Sequence, residues 1–178
     1  MGLSQIKDFA AAPTHNRVAR ACGVYLVEGA AVFRNILVPT DGSKLSQKAV
    51  RQAIALAEQS KAKLTVLHVY PRFSGSPYGT FGPAEDVLEE AHKRQARAEA
   101  GALFASVKKQ ADAAGVVADT VLAENNEIWR QIIGTAKKKK CDLICMASHG
   151  RRGLSGVLLG SETHKVLTHS DLPVLVLR

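Results

Sequence analysis

From residue 34 onward, short runs of apolar, often β-branched residues alternate with longer segments whose apolar positions recur at helical spacing. Asn35-Ile36-Leu37-Val38-Pro39 is the first run, and it stops at Thr40-Asp41-Gly42-Ser43. Ala49, Ala53, Ile54, Leu56 and Ala57 then trace one helix face. Leu64-Thr65-Val66-Leu67-His68-Val69 is a second run, followed by a Gly-, Ser- and Pro-rich loop over 71–83 and one long helix over 85–114. Thr120-Val121-Leu122 reads as a weaker strand, and Ile128, Ile132, Ile133 and Ala136 as another helix. Residues 142–147 form a fourth strand, a glycine-rich loop follows, and a short helix from Ser161 and a last strand over 173–177 close the chain. Strands alternating with helices predict an α/β fold, a mainly parallel five-stranded sheet covered by helices on both faces. Near-continuous apolar strands fit burial on both sides. Right-handed crossovers make such a sheet doubly wound. Ligands bind it outside the carboxyl ends of the strands, where the winding reverses. The loops after the first and fourth strands are therefore the candidate site.

The chain has 178 residues, a length that suits one domain with a substantial core. Its 46% apolar content excludes a disordered chain. No apolar run approaches the ~20 residues that span a bilayer. A net charge of +8 favours anionic partners. Cys22, Cys141 and Cys145 lack the spacing of a disulfide framework or a metal site, and buried thiols in a reducing cytoplasm are expected. Residues 1–33 differ from the rest. Arg17 and Arg20 precede Val24-Tyr25-Leu26-Val27, which Glu28 interrupts. The stretch reads as a flexible N-terminal extension before a domain over 34–178, and it lacks the apolar core of an export signal.

The loop from Ala147 to Ser161 carries four glycines, the adjacent Arg151 and Arg152, and a serine at the start of a helix. Glycines let backbone N–H groups turn toward an anion. A helix N-terminus adds free N–H groups and partial positive charge. The chemistry suits a polyphosphate held by backbone amides, with the Ser161 hydroxyl near a terminal phosphate. The competing reading is a structural loop with Ser161 as N-cap. The loop is neither a P-loop nor a dinucleotide fingerprint. After the first strand, Asp41 can accept hydrogen bonds from a ribose hydroxyl or a base amine. It equally suits an Asx turn leading to Ser43 as N-cap. Val69 offers an apolar wall for a base. His149 can touch phosphate or ribose, and Arg151 can clamp phosphate, against the reading of both as solvated loop residues. His68 and Trp129 read as packing residues. Lys137 to Lys140 reads as a solvated helix end that complements the dipole. Few, scattered aromatics and no recognition motif argue against nucleic-acid binding. No catalytic residue and no metal ligand set is assigned.

Three segments together resemble the universal stress protein family: Ile36 to Ser43, Leu67-His68-Val69, and Met146 through Gly160-Ser161 to Val176. The nucleotide-binding branch of that family carries G-x2-G-x9-G-[ST], which falls here on Ala147, Gly150, Gly160 and Ser161, so the first glycine is alanine. The resemblance implies an adenine nucleotide alpha hydrolase-like sheet of order 3-2-1-4-5 and ATP as ligand, with Mg²⁺ on its phosphates. It places Pro39, Thr40, Asp41 and Val69 at the adenosine end and residue 147 near the ribose. Gly150 with the loop behind it, Gly160, Ser161, Glu162 and Thr163 then surround the phosphates. It implies a homodimer through the C-terminal edge strand and a role in stress response through assembly or partner choice. An interaction protein without nucleotide is the alternative, and a slow ATP hydrolase or phosphotransferase the second.

Overall fold

A computed structural model describes residues 17–21, 24–28, 32–75, 83–150 and 159–178. They fall into two units divided between Val32 and Phe33. In the first, β1 (Arg17–Ala21) pairs antiparallel with β2 (Val24–Glu28), Arg17 opposite Glu28 and Ala21 opposite Val24. The sequence reading assigned no strand there.

The second unit runs β3 (Asn35–Pro39), α1 (Lys44–Ser60), β4 (Lys63–Tyr70), α2 (Pro83–Ala113), β5 (Ala118–Glu124), α3 (Ile128–Lys138), β6 (Leu143–Ala147), α4 (Ser161–His169) and β7 (Val174–Leu177). Every pairing in its sheet is parallel. The strand order is β5-β4-β3-β6-β7, which is 3-2-1-4-5 counted within this unit. β5 extends beyond the short run legible in the sequence. It is an edge strand whose Asp119 and Thr120 are exposed, so its apolar signal is confined to one half.

The sheet separates two cores because successive side chains point to opposite faces. On one face, Ile36, Val38, Leu64, Val66 and Cys145 pack with Val50, Ala53 and Ala57 of α1 and Val107 and Ala111 of α2. On the other, Leu37, Leu67, Ile144 and Met146 pack with Ile132 and Ile133 of α3 and Val166 of α4. Ile36, Leu37 and Val38 are each 0% exposed, which is why β3 reads as an unbroken apolar run. Each such side chain contributes on the order of 1.5–3 kcal/mol by leaving water. Cys141 and Cys145 are free and buried. Burial pushes the Cys145 thiol up to about 12.

At the amino-terminal edge of the sheet, the Asp142 carboxylate accepts hydrogen bonds from the backbone N–H groups of Arg34 (2.8 Å) and Asn35 (3.0 Å). Asn35 Nδ2 donates to the Lys139 carbonyl at 2.9 Å. Lys63 N–H donates to the Arg34 carbonyl at 2.9 Å. Two lysines here adopt left-handed backbone: Lys61, which ends α1 at φ 54°, and Lys140, just past α3 at φ 55°.

Candidate functional site at the carboxyl edge of the sheet

The chain leaves β3 toward β4 on one side and returns through β6 on the other, so the winding reverses at β3. The loops after β3 and β6 meet there. The β3 loop is held from within. Thr40 is buried, its N–H donates to the Leu67 carbonyl (2.9 Å) and its hydroxyl pairs with Ser46 Oγ (3.1 Å). His68 Nδ1 lies 2.7 Å from the Thr40 carbonyl, which leaves His68 packed, as the sequence suggested. Pro39 closes the strand, and the polar groups of Thr40 are engaged inside the protein. Asp41 Oδ1 accepts from Ser43 N–H at 3.0 Å, the Asx turn the sequence predicts. Ser43 Oγ accepts from Ser46 N–H at 3.2 Å and caps α1. Gly42 takes φ 79°, a left-handed turn that suits glycine. Gln47, which carries no sequence signal, clamps this turn by donating from Nε2 to the Gly42 carbonyl at 2.9 Å.

The β6 loop comes up against that turn. A Cβ on Gly150 would sit 2.7 Å from Asp41 Oδ2, so a side chain there would have to displace this carboxylate. Ser148, not singled out in the sequence, pins both ends of the loop. Its N–H donates to the Leu177 carbonyl (2.9 Å) and its carbonyl accepts from Gly160 N–H (2.7 Å). Ala147 is buried inside regular β6, opposite Leu177, and is not among the non-glycine residues with positive φ. His149 Nδ1 lies 3.1 Å from Ser148 Oγ, while its Nε2 is buried with no hydrogen-bond partner among the described residues. Arg151 lies outside the described residues.

Helix α4 opens onto the same edge. Gly160 occupies the N-cap with φ −70° and ψ 152°, and as a glycine it brings no side chain to cap the helix. The expectation of Ser161 as N-cap is thereby corrected: Ser161 is the first residue inside the helix and is exposed, because Gly160 already takes the extended cap conformation. A Cβ on Gly160 would meet the Ser148 carbonyl at 3.2 Å. The buried Thr163 hydroxyl donates to the Ala147 carbonyl at 3.0 Å, fixing the helix start to the end of β6. Glu162 turns its carboxylate away to other partners. Oε2 accepts from Trp129 N–H at 2.9 Å, and Oε1 pairs with Lys165 Nζ at 3.1 Å. It thus supplies α3 with the cap that Glu127 does not provide. Val69, at the end of β4, packs at the margin of the α3–α4 core. On the opposite face of the sheet, Gly42, Gln47, His68, Glu99 and Leu103 line a cavity of about 370 Å³.

Asp41, Gly150, Gly160 and Ser161 are thus placed at one sheet edge, onto which the N-terminus of α4 opens. A carboxylate acceptor and the amide donors of a helix N-terminus at one sheet edge can hold a ligand with a hydroxyl-bearing end and an anionic end.

Residues 33–178 match the model of the universal stress protein family. Universal stress protein YxiE of Bacillus subtilis is 35% identical over 83% of this chain and 100% of its own length. Universal stress protein UspA from Lactobacillus plantarum superposes with a TM-score of 0.71 at 26% identity, covering 82% of this chain and 97% of that one. A universal stress protein solved in complex with cAMP shares the fold, with a TM-score of 0.57 at 23% identity over 82% of this chain and 97% of that one.

Proposed function

This chain belongs to the universal stress protein family, and from that premise we propose that it is an ATP-binding member, acting as a cytoplasmic homodimer in stress response through assembly or partner choice. The observation that carries the reading is the contact of the two loops. The Asp41 carboxylate lies 2.7 Å from where a Cβ on Gly150 would be, at the sheet edge onto which the first turn of α4 opens. In this reading Asp41 accepts from the adenosine end and Val69 and Ala147 flank it. The amides of Ser161, Glu162 and Thr163 face the phosphates, and Glu162 acts through its backbone because its carboxylate is engaged with Trp129. The unpartnered His149 Nε2 suits a phosphate or ribose oxygen. Mg²⁺ would be carried by the phosphates. The adenine nucleotide in a protein of the same fold supports the reading at the level of architecture. The two buried free thiols fit a reducing compartment.

The test is to denature freshly purified protein and identify released nucleotide by chromatography. Near-equimolar ATP is the expected result. Protein that releases none and takes up none on titration with Mg-ATP would sink the proposal.

A second reading, an interaction protein without nucleotide, draws on Ala147, whose methyl lies where the family motif has bare backbone. Restoration of binding by Ala147→Gly in an otherwise empty protein would favour it.

A further inference from the structure

The opposite edge of the sheet collects cations. Parallel topology brings every strand start and helix end of the unit to this pole. Arg34 precedes β3, Lys63 begins the neighbouring β4, Lys61 ends α1, and Lys137 to Lys140 end α3, all exposed. The bonds from Lys63 to Arg34 and from Asn35 to Lys139 make them one continuous surface. Two acids offset this charge in part: Asp142 accepts from the Arg34 and Asn35 amides and lies 4.0 Å from the Arg34 guanidinium, and Asp171 pairs with Lys137 at 2.7 Å, which leaves the charge of Lys61, Lys63 and Lys138 to Lys140.

Helix dipoles account for Lys137 and Lys138, which lie in the last turn of α3. They do not account for Arg34 and Lys63 on strand starts. Nor do they account for lysine at two left-handed positions, where glycine would be relaxed. Lysine at two left-handed positions of one pole points to a use for the charge.

We propose that this pole docks a phosphate polymer, the backbone of a nucleic acid gripped without regard to base sequence. Six of the seven cations are lysines, point charges that bind phosphate without the bidentate geometry arginine imposes. Within the second unit, Val117 is the most exposed large apolar residue at this pole, linked through its carbonyl to Leu64 N–H. One valine is too little for the apolar centre a protein partner needs, or for anchorage in a lipid surface. The lack of stacking aromatics and of a recognition helix argues against base reading, and backbone docking requires neither. The pole lies a strand length, roughly 16 Å, from the nucleotide edge, and the proposal is independent of that site.

The test titrates the full chain against labelled single-stranded DNA of two unrelated sequences by fluorescence anisotropy. The double variant Lys61→Gly, Lys140→Gly removes two charges while relaxing both left-handed positions. Binding is expected in the micromolar range at about 50 mM salt, alike for both sequences, and at least tenfold weaker at about 200 mM. The double variant should bind at least about threefold more weakly, with a salt slope shallower by about 1.4, from ~0.7 per lost phosphate contact. Its Tm should not fall, and its bound nucleotide content should match the parent, which separates this proposal from the nucleotide reading. No binding at low salt, equal affinity in the double variant, or preference for phosphatidylserine vesicles over DNA would overturn it.

Discussion

Gly150 is the residue on which the two halves of the candidate site depend. Its neighbour is a short carboxylate already tied into an Asx turn, so an added methyl has to displace Asp41 and loosen that turn. Gly150→Ala is expected to weaken ATP binding about tenfold, or ~1.4 kcal/mol, while unfolding shifts by less than about 1 kcal/mol. The same substitution in an Asp41→Ala background should add little further loss, because both act on one contact; calorimetric titration of the four proteins checks this. Ala147 is the converse case. It sits in regular strand without positive φ, so its methyl imposes no backbone strain. Ala147→Gly should leave ATP affinity within about threefold and lower stability by roughly 0.5–1 kcal/mol; a large tightening would show that the methyl obstructs the ligand. The sequence made the glycines visible but not the reason for Gly150, which is a carboxylate more than a hundred residues away. It likewise gave no hint that Thr40 and Thr163 spend their hydroxyls on the protein itself.

Among the elements, α3 and α4 are joined by a side chain that the motif assigned to ligand. The Glu162 carboxylate caps α3 at Trp129 N–H. Glu162→Gln weakens a charge-assisted bond and should cost about 1 kcal/mol in denaturant unfolding. It should also raise ATP affinity a few-fold, because a negative charge leaves the first turn of α4. Strand β6 makes a different prediction. Burial holds the Cys145 thiol up at about 12, whereas in the unfolded chain it ionises near its ordinary 9.0. The folded state therefore binds the proton more tightly. The stability this contributes is complete below about pH 9 and is lost progressively between pH 9 and 12. In a Cys22→Ser background, Cys141 and Cys145 should resist iodoacetamide at pH 8 and both react once the chain is denatured. All nine elements of the second unit were legible, because period and punctuation are strong there. The boundaries of β5 were not, since an edge strand alternates polar and apolar residues and shows only part of its length.

At the scale of the whole molecule, β7 ends the sheet with Leu175 exposed at 40%. An apolar edge of this kind is normally covered. Leu175→Glu is expected to convert a dimer to monomer in sedimentation velocity without loss of the fold; a wild-type monomer at micromolar concentration would instead refute pairing through this edge. The parallel, doubly wound sheet followed from the alternation of elements, and its strand order from the family resemblance. The hairpin of β1 and β2 did not, because two five-residue strands carry too little periodic signal to stand out.

The parallel order also sets a timetable for synthesis. β3 is the central strand, yet its β6 partner lies across the sheet from residues made far earlier, with Asp142 and Arg34 separated by 108 positions. At ribosomal speeds of about 5–20 residues per second, β3 waits on the order of ten seconds for the strand that covers its open side. Throughout that interval the central strand, with Ile36, Leu37 and Val38 at its middle, presents an unpaired edge. The nascent chain is therefore most exposed to misassociation in the middle of its translation, and shielding it from its own neighbours on a polysome is a requirement of this topology.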